Sequence, residues 1–224
     1  MHTYATTAPI TAVLEIPAGH IRLIATDRTE TSVEVLPADP AAKRDAKAAE
    51  HTGVSYTDGT LRIETAPAAR RALGPSGALE ITVRLPAGSR IQAELATGEL
   101  RGVGRLGEVT LEAAQATVKL DETTTAHLTL STGEITIGRL TGPAEISTRK
   151  GAIEITEAVR GPLTLHTDAG PITVGTAHTT SATLDATTTY GRIHNTLTNT
   201  AGPNPDLLEI HATTSHGDIT ARSL

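Results

Sequence analysis

Between Ile91 and Ala221 aliphatic and polar residues alternate in short runs, and the runs repeat. Leu128-Thr129-Leu130-Ser131-Thr132-Gly133-Glu134-Ile135-Thr136-Ile137 is one copy, and Ile146-Ser147-Thr148-Arg149-Lys150-Gly151-Ala152-Ile153-Glu154-Ile155 is the next. Leu165-His166-Thr167-Asp168-Ala169-Gly170-Pro171-Ile172-Thr173-Val174 follows. Shorter matches sit at Leu95-Ala96-Thr97-Gly98-Glu99-Leu100, Thr188-Thr189-Tyr190-Gly191-Arg192-Ile193 and Thr214-Ser215-His216-Gly217-Asp218-Ile219. A period of two with one apolar face predicts half-buried strands. The glycine between two such runs predicts a corner, since glycine alone takes a positive φ at no steric cost.

The glycines at 98, 133, 151, 170, 191 and 217 are spaced 35, 18, 19, 21 and 26 residues apart. The first spacing holds two periods, with a degenerate copy at Leu111–Leu120 in which Ala116 stands where glycine is expected. About seven short rungs result. One strand–corner–strand unit cannot bury its own apolar face, whereas copies stacked about 4.8 Å apart can. The expected fold is therefore all-β, a parallel β-solenoid with right-handed crossovers. A sandwich of antiparallel hairpins would also space strands regularly. It would not repeat a threonine three places before glycine, as at Thr148, Thr167, Thr188 and Thr214. If successive copies stack in chain order, the copy around Gly217 forms an open end.

The first ninety residues follow another pattern. Ile10–Ile16 and Ile21–Ile24 read as strands around Pro17-Ala18-Gly19, and Leu79–Leu85 runs into a second Pro86-Ala87-Gly88 turn. Asp39-Pro40 followed by Ala41–Glu50 predicts a short N-capped helix with Pro40 at its first position. Asp58-Gly59 between Val54-Ser55-Tyr56 and Leu61-Arg62-Ile63 predicts a hairpin. Ala66 to Gly77, with Arg70 and Arg71, reads as a mobile loop. Residues 1–90 are thus expected to form an antiparallel β cap with one short helix and a mobile loop, and residues 91–224 the solenoid, the two making one continuous domain.

Composition narrows the function. The chain has no Phe, Trp or Cys, three Tyr and a net charge of −6. Nucleic-acid binding asks for a basic surface and often for aromatic stacking, and neither is present. Without cysteine there is no disulfide framework, which suits a reducing compartment. The start of the sequence shows no signal-like apolar run, and nothing approaches the roughly 18 apolar residues of a membrane span. A cytoplasmic location without membrane insertion is expected.

The recurring Thr-x-x-Gly-[Glu/Asp]-[Ile/Leu] unit, together with the Pro-Ala-Gly turns, resembles the bacterial β-strand-repeat family known as "putative adhesin" or toast-rack. The resemblance implies a β-helical scaffold of undefined biochemical role, whose members include some coupled to membrane-embedded envelope-stress proteins. The chain departs from that pattern at Ala116, Ala152 and Pro171, and it lacks a membrane segment.

No histidine or carboxylate set has the spacing of a zinc or hydrolase motif, so no cofactor or metal is expected. Glu99, Glu134 and Asp218 follow their glycines and would line one ridge, interrupted by Ala152, Pro171 and Arg192. The copy around Gly191 is the odd one: Arg192 replaces the usual acid, and Asn195 falls where other copies carry Ile or Val. A buried Asn needs partners, so Asn195 is expected either to seal the stack or to line a pocket. Candidate ligand-binding residues are Tyr190, Arg192, His194, Asn195 and His216, beneath a Thr196–Leu208 loop. The leading reading is a non-enzymatic scaffold or protein-interaction module that binds a protein partner or itself as a homo-oligomer. The alternatives are a small-ligand-binding protein or enzyme built on the last two rungs, and a surface adhesin.

Overall fold

The structure, a computed structural model, describes residues 1–66, 77–177, 180–198 and 207–224. Most of the loop expected at Ala66–Gly77, with Arg70 and Arg71, lies outside the described residues. The chain divides into two compact units, Met1–Thr117 and Val118–Leu224.

In the first unit the central element is β2 (Thr11–Thr26). It pairs in parallel with the opening half of β7 (Arg90–Thr132), from Thr11 opposite Arg90 to Ala25 opposite Gly104. Its other edge pairs in parallel with β5 (Thr60–Thr65) and then with β6 (Leu79–Pro86). The Pro17-Ala18-Gly19 segment is therefore a corner within a rung rather than a reversal of the chain. Gly19 lies directly opposite Gly98 in the register. Parallel stacking thus reaches into the first ninety residues.

The antiparallel pairings of this unit involve the remaining strands. β3 (Glu30–Pro37) pairs with β6, and β1 (His2–Ala5) pairs with β3. β4 (Thr52–Thr57) and β5 form the predicted hairpin, whose turn residues Asp58 and Gly59 have φ of 48° and 75°. Both angles are positive, as a two-residue type I′ turn requires.

Helix α1 (Lys43–Glu50) begins three residues later than the sequence suggests. Asp39 caps a preceding turn instead, its carboxylate accepting the Ala41 N–H at 2.9 Å. The part played by Asp45 has no signature in the residue pattern. Its carboxylate is buried and accepts the N–H groups of Asp39 and Ala78 at 3.2 and 3.1 Å, pinning the helix to the segment entering β6.

The second unit consists of two parallel ladders. In one, the closing half of β7 is followed by β9 (Ala144–Lys150), β11 (Gly161–Ala169), β15 (Leu208–His216) and β13 (Ala182–Tyr190). In the other, β7 is followed by β8 (Ile135–Leu140), β10 (Ile153–Ala158), β12 (Ile172–Thr176), β16 (Ile219–Ser223) and β14 (Ile193–Thr196). Each rung contributes one strand to each ladder, joined through its glycine. Rungs paired in parallel, with like residues over like, are the arrangement of a β-solenoid.

The order of those rungs corrects the expectation of stacking in chain order. The last copy, β15–β16, lies between the Gly170 rung and the Gly191 rung. The open end is therefore β13–β14, the penultimate copy in sequence. Side-chain columns follow this spatial order. Val118, Ile135, Ile153, Ile172, Ile219 and Ile193 stand opposite one another in turn. All but Ile193 are buried.

The recurring threonine has a structural reason. Thr167, buried, donates its hydroxyl to the carbonyl of Gly151 at 3.1 Å. Thr214 does the same to Gly170 at 3.1 Å and Thr188 to Gly217 at 3.0 Å. In these three rungs the threonine thus satisfies the corner carbonyl of the neighbouring rung, whereas Thr148 donates to the Lys150 carbonyl of its own rung at 3.4 Å. Thr167→Val keeps the shape and removes the donor, leaving a half-buried carbonyl short of a partner. The expected cost is about 1–2 kcal/mol, read as a lower urea midpoint at unchanged m-value.

Candidate functional site

The end rung is the place where this regularity stops. Along β13 only Ala182 is fully buried, while Leu184, Ala186 and Thr188 are partly exposed, and every residue of β14 is exposed. Tyr190 and Ile193 are 68% and 45% exposed, among the few large apolar side chains the chain presents to solvent.

The pairing fixes which backbone groups are free. The Leu208 N–H donates to the carbonyl of Ser181 at 3.1 Å. In a parallel ladder alternate residues turn both backbone groups to the same neighbour. Thr183, Asp185 and Thr187 therefore face β15, and Leu184 and Ala186 direct their N–H and C=O outward. On β14 the Ile219 N–H donates to the carbonyl of Arg192 at 2.9 Å, which leaves Ile193 and Asn195 facing outward. No described strand pairs with this edge of β13 or β14.

The five residues singled out from sequence all belong to this end. Tyr190 stacks on His216 with ring centroids 5.0 Å apart and an interplanar angle of 19°. The Arg192 N–H donates to the Asp218 carboxylate at 2.8 Å, so the acid following one glycine holds the corner of the next rung. His194 lies opposite Thr220, and Asn195 opposite Ala221. Asn195 occupies the column of Leu120, Ile137, Ile155, Val174 and Ala221. It is exposed rather than buried, and its Oδ1 accepts the Leu197 N–H at 3.0 Å. It neither seals an interior nor needs a buried partner, because the column ends with it. Most of the loop expected to roof these residues, 199–206, lies outside the described residues.

The outward face of the β9–β11–β15–β13 sheet carries the remaining candidate chemistry. One row across it runs His127, Glu145, Thr164, His211 and Asp185. His211 lies 3.4 Å from Asp185, and His127 lies 4.0 Å from Glu145. His166 pairs with Asp168 at 3.1 Å along its own strand. Each of these is a solvent-exposed pair, and among the described residues no three His, Cys, Asp or Glu side chains gather as a metal site would require. Nor is any described helix long and apolar enough to cross a membrane.

The parallel rungs, glycine corners and threonine bonds define the chain as a β-solenoid. The profile of the Toastrack DUF4097 family matches residues 105–222, more than half of the 224-residue chain. The chain belongs to that family. Among solved structures it is similar to a "putative cell adhesion protein" from Clostridium sporogenes, at 10% identity and a TM-score of 0.38, covering 100% of this chain and 98% of the other. It is also similar to a "putative adhesin" from Bacteroides fragilis, at 11% identity and a TM-score of 0.46, covering 98% of this chain and 95% of that one. A third, from Parabacteroides distasonis and described in the same words, shows 12% identity and a TM-score of 0.33, covering 98% and 95%. No curated protein matches the chain by sequence.

Proposed function

We propose that the chain is a non-enzymatic scaffold that binds protein by strand addition at the β13–β14 end rung. The observation that carries this reading is an edge, from Leu184 to Thr188, with which no described strand pairs. Soluble proteins blunt exposed sheet edges with lysines, prolines, bulges or covering elements. β13, Ala-Thr-Leu-Asp-Ala-Thr-Thr-Thr-Tyr, has nine residues, one charge, no lysine and no proline. A partner strand would satisfy the outward backbone groups of Leu184 and Ala186 and cover the partly exposed ends of the apolar columns.

Strand addition is recognised mainly through the backbone, so it separates from a ligand site built on side chains. Ala186→Pro removes an outward N–H and leaves the bonds to β15 in place, as proline is tolerated on an edge strand. With a photo-crosslinker at Thr187 in the native host, Ala186→Pro is expected to abolish the crosslinked protein adduct. The Arg192→Ala/His194→Ala pair is expected to leave it intact. The reverse result would favour the side-chain site and sink the strand-addition reading.

A further inference from the structure

We infer that the end rung β13–β14 is a movable cap with two seats, on the Gly170 rung before β15–β16 docks and on β15–β16 afterwards. Its seat in the folded chain is out of sequence order. β13 follows β12 along the chain, yet in both ladders a later strand separates this rung from the Gly170 rung. Movement of the cap is independent of what its outer edge binds.

β15 meets both of its neighbours in one register. Leu163, Ile210 and Leu184 form one column, Leu165, Ala212 and Ala186 the next, and Thr167, Thr214 and Thr188 a third. On the second ladder Ile172, Ile219 and Ile193 align in the same way. With β15–β16 undocked, the same register sets Leu184 on Leu163, Ala186 on Leu165 and Ile193 on Ile172. The threonine bond transfers as well. Thr188 donates to the Gly217 carbonyl at 3.0 Å, and the equivalent acceptor in the first seat is the Gly170 carbonyl, which Thr214 otherwise occupies at 3.1 Å. Asn195 would end its column beside Val174 instead of Ala221, with water on its other side in either seat. A rung that tolerates one neighbour is thus suited to be the last rung both before and after insertion.

Connectivity sets the order of events. Two residues, 159–160, join β10 to β11, and three, 141–143, join β8 to β9, each advancing the chain by one rung. Five residues, 177–181, join β12 to β13. Five extended residues reach about 17 Å, enough for one rung spacing or for two at about 4.8 Å each. Asp185 lies 21 residues beyond Thr164, and His211 lies 47 beyond it. Shorter loops lose less entropy on closing, and local pairings form first. β15–β16 then enters because it adds a second interface and carries Ala221, rather than Asn195, in the enclosed column.

The chain contains no cysteine, so introduced pairs report alone. Thr164 and Asp185 flank His211 on one outward row, with Cα atoms about 9–10 Å apart, too far for a disulfide. Full-length Thr164→Cys/Asp185→Cys is unfolded in urea with reductant, returned to buffer and given short oxidant pulses at increasing times. In early pulses the 164–185 disulfide is expected to form severalfold more than that of Thr164→Cys/Thr189→Cys, a pair of similar separation that neither seat aligns. In late pulses it is expected to vanish, and His211→Cys/Asp185→Cys to close only then. Protein locked at 164–185 is expected to lose residues 207–224 to limited proteolysis while the rest resists. If the reduced Thr164→Cys/Asp185→Cys protein lacks the wild-type circular dichroism, His166→Cys/Thr187→Cys reports the same register from the next row. Closure of 211–185 from the first pulse would overturn the first seat. So would equal yields from the aligned and misaligned pairs, or a locked protein in which 207–224 stays protected.

Discussion

Ile219→Ala is expected to cost about 3 kcal/mol and Ile193→Ala less than about 1 kcal/mol, in the same protein, by urea denaturation. The two residues are chemically identical and hold the same place in their rungs, two positions after the corner glycine. What separates them is spatial order. Ile219 is 1% exposed, flanked by Ile172 on one side and Ile193 on the other, so truncation leaves a cavity that neither neighbour can fill. Ile193 stands at the end of the column and is already 45% in water, so its truncation removes little buried area. Stacking in chain order predicts the reverse, with Ile193 enclosed and Ile219 at the open end. A larger loss for Ile193→Ala would remove both the intercalated arrangement and the binding edge that depends on it.

That order was not legible in the spacing of the glycines. The last four copies offer their neighbours the same two backbone edges, the same glycine and the same threonine, so any of them can stack on any other at little cost in local geometry. The longer step from Gly191 to Gly217 reports a longer connection and says nothing about where the connected rung goes. A signal did exist in the aliphatic content. The last copy places Leu208, Ile210, Ala212, Ile219 and Ala221 inward, whereas the Gly191 copy places Ala182, Leu184, Ala186, Ile193 and Asn195 there. A rung with Asn in the core column tolerates only one neighbour, and burial of apolar area favours the richer copy in the enclosed slot. Reading Asn195 as a buried polar group in need of partners missed this, because it assumed an interior on both sides.

The corners were legible because their chemistry allows few substitutes. Gly98, Gly151, Gly170 and Gly217 recur at one position in the pattern, and their recurrence predicted a ladder before any strand was paired. The threonine three residues ahead was also legible as a column, although its hydroxyl bond to the neighbouring glycine carbonyl was not. In the first unit the same logic was available at Pro17-Ala18-Gly19, but the proline suggested a turn. Proline is tolerated there because β2 bends at that corner and its strand segments pair separately with β5 and β6. Asp45 was missed for a different reason: a charged residue in a polar helical stretch looks solvent-facing, and only the fold brings the Ala78 N–H to it.

Gly217→Ala is expected to be among the most damaging single methyls in the chain, destabilising it by about 4 kcal/mol or more, a size reserved for a few mechanisms. Two of them act together here. Gly217 has a φ of 155°, which side-chain-bearing residues rarely adopt, and a Cβ built on it would lie 2.1 Å from the Gly170 carbonyl oxygen and 2.5 Å from its carbon. Those atoms are backbone and cannot rotate away, and the same oxygen accepts the Thr214 hydroxyl. Relief requires the two rungs to separate, which breaks bonds on both ladders. Gly59 provides the comparison. Its φ of 75° is also positive, but nothing lies within 4 Å of its added Cβ. Gly59→Ala carries the conformational penalty alone, about 1–2 kcal/mol. Thermal unfolding of both variants checks the difference: a Gly217→Ala protein within about 1 kcal/mol of the wild type would mean that the corners do not stack glycine on glycine.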